Sequence, residues 1–100
     1  LKSETADYLH DIQKKAAYFA EILLMDNQGA LVAATNRTPD YWKGDEVFFK
    51  QPFSTGTVHV SEAAFVPEAQ AYLVRISVPV KDGNETIGAL TFGIDLQKFN

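Results

Sequence analysis

The residues equipped for chemistry gather in one long connection and on the strand-like segments that follow it. Tyr41, Trp42, Phe48 and Phe49 fall within nine residues, interleaved with Lys43, Asp45 and Glu46. Apolar rings beside a few directional charges are what the wall of a small-molecule pocket requires. A connection carried on a rigid scaffold is a common place for such a wall. Further along, Arg75 and Ser77 sit in a run of β-branched residues, and Thr91 and Asp95 lie in the last one. An arginine among apolar neighbours needs a partner if it is covered. For Arg75 that partner is either a ligand carboxylate or one of Asp95, Asp45 and Glu46, unless the side chain is exposed. Asp95 either meets a ligand amine, pairs with Arg75, or caps the chain before Leu96-Gln97-Lys98.

Other chemistry has little support. His10 and His59 are far apart and lack carboxylate or cysteine companions at metal-ligand spacing. There is no cysteine, so disulfides and thiolate chemistry are excluded. Ser54-Thr55-Gly56-Thr57 matches no phosphate loop, and no Gly-x-Ser-x-Gly nucleophile arrangement occurs. The chain is expected to be no enzyme and to carry no cofactor or metal. A net charge of -4 argues against nucleic acid, which needs a basic footprint.

One hundred residues, 46% of them hydrophobic, suffice for one domain with one core. No stretch approaches the ~20 apolar residues of a membrane span, and Leu1-Lys2-Ser3-Glu4 opens in helical sequence without a signal-peptide region. The chain is therefore expected to be a piece of a longer protein, with flanking transmembrane segments.

These residues must be positioned by an α+β scaffold. Tyr8, Leu9, Ile12, Ala16 and Phe19 recur with a helical period and predict a helix over 2–19. Glu21 to Asp26 reads as a strand, Asn27-Gln28-Gly29 as a turn and Leu31 to Thr35 as the returning strand. The long connection runs from Asn36 to about Thr55. Within it Asp45 to Gln51 reads as a short helix, capped by Asp45 and ended by Pro52. Gly56 to Phe65, Ala71 to Val80 and Thr86 to Asp95 read as three further strands, the last two joined by the Asp82-Gly83 turn. The expectation is a long N-terminal helix on a five-stranded antiparallel sheet, with a long insertion between strands two and three. Sheet and pocket would occupy 20–96 of a single domain covering 1–100.

A period of two sorts the sheet faces. Leu90, Phe92, Ile94 and Leu96 form one row of the last strand, opposed by Ala89, Thr91, Gly93 and Asp95. Val74, Ile76 and Val78 oppose Arg75 and Ser77. The large rows belong under the helix. Arg75, Ser77, Thr91 and Asp95 then face the side over which the aromatic connection folds. That face is either a roofed pocket or a solvated surface, and periodicity does not choose between them.

The ordered set Thr35-Asn36, Thr38, Asp40-Tyr41-Trp42, Gly44-Asp45-Glu46, then Arg75-Ile76-Ser77-Val78-Pro79-Val80-Lys81-Asp82, then Ile87-Gly88, Leu90 and Gly93-Ile94-Asp95-Leu96 resembles the Cache family of PAS-like extracytoplasmic sensor domains. The resemblance runs from about residue 7 to 99. It implies the ligand-sensing input module of a bacterial histidine kinase, chemoreceptor or diguanylate cyclase, outside the inner or plasma membrane. In the amino-acid-binding branch Tyr41, Phe48, Phe49, Phe65 and Asp95 match pocket positions. Glu46 stands where that branch has its carboxylate-binding Arg, and Pro67 where it has its amine-binding Asp, so the amino-acid specificity is not carried over with the resemblance. Without that Arg the planar fork that grips a carboxylate is gone, and Arg75 is the candidate substitute.

The candidate ligand contacts are thus Tyr41, Trp42, Phe48, Phe49, Phe65, Arg75, Ser77, Thr91 and Asp95. Trp42 is also suited to pack the connection onto the sheet, and at least one of Phe48, Phe49 and Phe53 belongs in the core. The expected partner is a small molecule bearing a carboxylate or an amine. The resemblance also implies a homodimer through the N-terminal helix. The competing reading is a structural or dimerisation module of the same fold, its cavity filled by its own phenylalanines. A third reading, a haem- or flavin-bearing cytoplasmic PAS domain, finds no histidine near the aromatic cluster.

Overall fold

The fold follows the α+β plan, with its core divided between the two faces of one sheet. A computed structural model describes residues 4–36 and 41–98. The elements are α1 (Glu4–Gln13), β1 (Phe19–Asp26), β2 (Leu31–Ala34), α2 (Val47–Thr55), β3 (His59–Val60), β4 (Ala64–Val66), β5 (Ala71–Asp82), β6 (Glu85–Asp95) and a closing 3-10 turn, Leu96–Lys98. The sheet has six strands in the order β2-β1-β6-β5-β3, with β4 also paired to β5, and every pairing is antiparallel.

Ala6 and Leu9, one helical turn apart, are the buried stripe of α1. They pack with Ile22 and Ala33, against Ile12, Leu24, Leu90 and Phe92. Glu4 and Asp7 lie in the first turn, where the helix dipole favours negative charge. The helix is shorter than the expected 2–19. It ends at Gln13, whose side-chain amide donates to Ala20 O at 3.1 Å, and the chain turns before β1. Tyr8 stays exposed; Ala6 takes the buried place the periodicity gave it.

The other face carries Leu23, Met25, Leu31 and Ala89 under Phe48 and Phe49 of α2, with Ala34 and Phe53 at the margin. A bulge lets β2 serve both layers: Met25 pairs with Leu31 and Leu24 with Ala33, leaving Val32 as the extra residue. Leu31 therefore joins the α2 side and Ala33 the α1 side.

Two expected boundaries move. The segment expected to be one strand from Gly56 to Phe65 is two short pieces, β3 and β4, which share the free edge of β5. Glu46, in extended conformation, precedes α2 in place of Asp45, and no side chain caps the helix. Pro52 lies inside α2 and does not end it. The helix stops at Gly56, left-handed at φ 69°, whose amide donates to Pro52 O at 2.9 Å. A proline in the helix interior loses one backbone bond, yet Pro52 is fully buried. Pro79 fits within β5 because the strands on its outer edge pair no further than Ser77.

Candidate ligand-binding site

The α2 side of the sheet is built in rows that cross three strands. One row holds Glu21 on β1, Gly93 on β6 and Arg75 on β5. The next holds Leu23, Thr91 and Ser77, and the third Met25, Ala89 and Pro79. Small residues on the central strand leave room above it. In the second row the Ser77 and Thr91 hydroxyls share a hydrogen bond of 2.8 Å and both residues are fully buried. In the first row the glycine allows more. The Arg75 Nε donates to the Glu21 Oε2 at 2.7 Å, across the strand that separates them. A Cβ at Gly93 would lie 2.4 Å from Glu21 Cγ and 2.9 Å from Glu21 Oε2. Glycine is thus what lets the pair close.

Arg75 is held from three sides. Its backbone amide donates to Ser61 Oγ at 2.9 Å, its Nε to Glu21, and its guanidinium carbon stands 4.6 Å from the centre of the Phe48 ring. The Glu21 side chain is 7% exposed and that of Arg75 22%. No buried side-chain nitrogen or oxygen among the described residues lacks a partner. The terminal guanidinium nitrogens, with no hydrogen bond of their own, therefore face accessible space. That space is a cavity of about 230 Å³. It is a half-open cleft lined by Lys43, Glu46 and Phe48 around the start of α2, by Phe65, Val66, Pro67 and Glu68 of β4 and the turn after it, and by Arg75 of β5. Drug-sized ligands occupy roughly 300–1,000 Å³, so this cavity suits a smaller metabolite.

The remaining candidates fall elsewhere. Tyr41 and Trp42 are 63% and 52% exposed and lie outside the cavity lining. Their segment is bound to the β1–β2 turn. Tyr41 O accepts from Leu31 N at 2.8 Å, Trp42 pairs with Ala30 and donates its indole N–H to Gln28 O at 2.7 Å, and Lys43 N donates to Gly29 O at 2.7 Å. Gly29 has φ +82°, and a Cβ there would be 2.3 Å from Gly44 Cα. Gly29 thus lets the connection lie backbone on backbone against the turn, and Gly44 makes room for the Trp42 indole, whose Cζ2 would lie 2.4 Å from a Cβ there. Phe49 is a core residue, stacked on Phe53 with centroids 5.2 Å apart. Ser77 and Thr91 satisfy each other beneath the surface. Asp95 is buried and accepts from Gln97 N at 3.0 Å, capping the closing turn as one reading of the sequence had it. Phe48, Phe65 and Arg75 are the candidates that the fold brings together at the cavity. Phe65 meets Tyr72 edge-on across the β4–β5 pair at 5.3 Å.

The partner of Arg75 is Glu21, in place of the expected Asp95, Asp45 or Glu46. The signal was present. Period two puts Glu21 on the face of Leu23 and Met25, and a carboxylate on a covered face requires a cation. Glu68 and Lys43 carry no such signal, because nothing in a turn sequence separates a cavity-lining charge from a solvated one.

A family model described as the methyl-accepting chemotaxis protein-like first PDC sensor domain matches residues 3–100. No curated protein matches significantly in sequence. Among solved structures, the sensor domain of the Vibrio cholerae histidine kinase DctB is similar with a TM-score of 0.72 at 19% identity, covering 94% of this chain and 37% of that one. The ligand-binding domain of the Campylobacter jejuni chemoreceptor Tlp3, solved with 4-methylisoleucine, gives 0.74 at 14% identity, covering 94% and 39%. That of the Pseudomonas aeruginosa chemoreceptor PctB, solved with L-Gln, gives 0.73 at 20% identity, covering 93% and 39%. At these identities the likeness is one of fold. The chain spans about two fifths of the length of these structures.

Proposed function

The chain belongs to the methyl-accepting chemotaxis protein-like first PDC sensor domain family, and from that premise we propose that it is an extracytoplasmic ligand-sensing module of a membrane-bound signalling receptor. It forms one module over residues 1–100 and performs no catalysis itself. Its ligand is a small amine-bearing metabolite, such as an amino acid or a short diamine, taken into the cavity between the start of α2 and the β4–β5 edge.

The observation that carries this reading is the mixed charge of the cavity. Lys43 and Arg75 bring two positive charges; Glu46, Glu68 and the Glu21 beneath Arg75 bring three negative ones. The balance of 2 − 3 = −1 favours a cationic group on the ligand. Among the described residues neither Glu46 nor Glu68 has an ion-pair partner, so both carboxylates are open to an ammonium. A ligand carboxylate, where one is present, has the terminal nitrogens of Arg75 to meet. The amino-acid ligands of the Tlp3 and PctB domains agree in size and charge type.

The test is thermal unfolding against amino acids, short diamines and short carboxylates. An amine-bearing ligand should stabilise saturably, by about 2.7 kcal/mol at a hundredfold excess over Kd. Arg75→Ala should weaken amino acids more than diamines, while Glu46→Gln and Glu68→Gln should weaken both. A second reading, a self-filled structural module, draws on the burial of Phe48 and Phe49 beneath the connection. No stabilisation by any amine-bearing compound would leave that reading standing.

A further inference from the structure

We propose that Glu21 determines the charge preference of this site as a built-in counter-ion that offsets the charge of Arg75 from beneath while leaving its terminal nitrogens to the cavity. The inference rests on the ligand-binding reading above and deepens it. Glu21 is not a cavity-lining residue. It comes from β1, two strands away from Arg75, and reaches it only because Gly93 has no side chain between them. The 2.7 Å bond uses Nε, and the terminal nitrogens, which make no hydrogen bond, are left to the cavity.

Two consequences follow from that geometry. The guanidinium is fixed in orientation by the Glu21 bond and by the Phe48 ring at 4.6 Å, so its outward donors point in one direction. Its charge is at the same time offset by a carboxylate that is almost fully covered and hence poorly screened. An incoming carboxylate meets the attraction of Arg75 and the repulsion of Glu21 together. An incoming ammonium meets Glu46 and Glu68 against Lys43 and an arginine already neutralised. One buried residue outside the cavity thus turns an arginine-based site from anion-seeking to cation-tolerant. Sequence inspection of the lining alone would assign Arg75 the opposite preference.

The experiment uses the domain carrying Glu21→Gln, which keeps the shape and removes the charge, and Glu21→Ala, which leaves a carboxylate-sized gap beside Nε. Acetate, succinate and 1,4-diaminobutane are the probes, titrated by calorimetry and by thermal shift. Glu21→Gln should bind succinate about 10- to 100-fold more tightly than the parent, and diaminobutane more weakly, in line with the loss of one charge some 6–8 Å from the ligand at an effective dielectric near 20. Glu21→Ala should be stabilised by millimolar acetate, and Glu21→Ala with Arg75→Gln should not. A folded Glu21→Gln domain with unchanged succinate and diaminobutane affinities overturns the proposal while leaving the ligand-binding reading intact. A parent that binds no amine, beside a Glu21→Gln variant that gains succinate, overturns the amine reading and supports the counter-ion role. Should Glu21→Gln fail to fold, the absence of acetate rescue in Glu21→Ala overturns the proposal.

Discussion

Substituting Gly93 by alanine adds one methyl group, and the structure says what that methyl would do. Its Cβ would sit 2.4 Å from Glu21 Cγ, 2.9 Å from Glu21 Oε2 and 2.9 Å from Leu73 Cδ1. Leu73 Cδ1 is the end of a flexible side chain and can move. Glu21 Cγ is the middle of a covered one and cannot move without drawing its carboxylate off Arg75. Overpacking of this kind costs roughly 1–3 kcal/mol. Loss of a hydrogen bond between charged groups adds about 1.5–3 kcal/mol, taken near the lower figure because the Arg75 side chain is 22% exposed and water can replace part of the loss. Against this, alanine in a strand gains about 0.5–1 kcal/mol over glycine. The expected net destabilisation is about 2–4 kcal/mol, or some 10–25 °C in Tm for a domain of this size. Equilibrium urea unfolding of Gly93→Ala in two backgrounds isolates the cause. In Glu21→Ala the Cγ and the carboxylate are gone, and Gly93→Ala should become neutral or slightly stabilising. An equal cost in both backgrounds would refute the account, because the pair would then not depend on the glycine.

Three further outcomes follow from single contacts. Ser77→Ala and Thr91→Val should each cost about 1–3 kcal/mol by orphaning a buried hydroxyl partner, while the double substitution should cost less than their sum; a cycle of urea midpoints measures the coupling. Thr35→Val should cost about 1–3 kcal/mol, because the Thr35 Oγ1 accepts from the buried Ile22 N–H at 2.9 Å; hydrogen exchange at the Ile22 amide should quicken in step. Gly83→Ala should cost only the left-handed penalty of about 1–2 kcal/mol, since nothing lies within 4 Å of its Cβ, whereas Gly29→Ala must also displace the Gly44 backbone and should cost clearly more in the same denaturant assay.

The layers of the fold were legible in the sequence because burial writes itself as period. The rows Leu90 and Phe92 under α1 and Ala89 under α2 fall as alternation requires. Edges and boundaries were less legible. The break between β3 and β4 falls at Ser61, whose hydroxyl and amide both bond Arg75, a tertiary arrangement that no local propensity encodes. The start of α2 moved from Asp45 to Glu46 because the cap is made without a side chain, and side-chain caps are what sequence displays. The site was half legible. Arg75 and Phe48 stand at the cavity, but Tyr41 and Trp42 are drawn to the β1–β2 turn by backbone bonds available to any residue. Glu21 was readable as a charge on a covered face, and Gly93 as a gap beside it. What joins them is register between strands distant in sequence, which a single strand's pattern does not contain.

That division also says where a ligand can act. The connection is fixed at one end by the Gly29–Gly44 contact and the Lys43 to Gly29 bond, and α2 is anchored through Phe49 in the cluster with Leu23, Met25, Leu31 and Ala89. A ligand can bias conformations only by binding one more tightly than another, and the residues that meet both the cavity and the packed sheet are Phe48 and Arg75. Arg75 there touches β1 through Glu21, α2 through Phe48 and the β3–β4 segment through Ser61. The row beneath it runs through Gly93 of β6, two residues before Asp95 and the closing turn. Arg75 is thus joined to β6 through its nearest neighbour in the sheet, Gly93, and through it to the strand end that Asp95 closes.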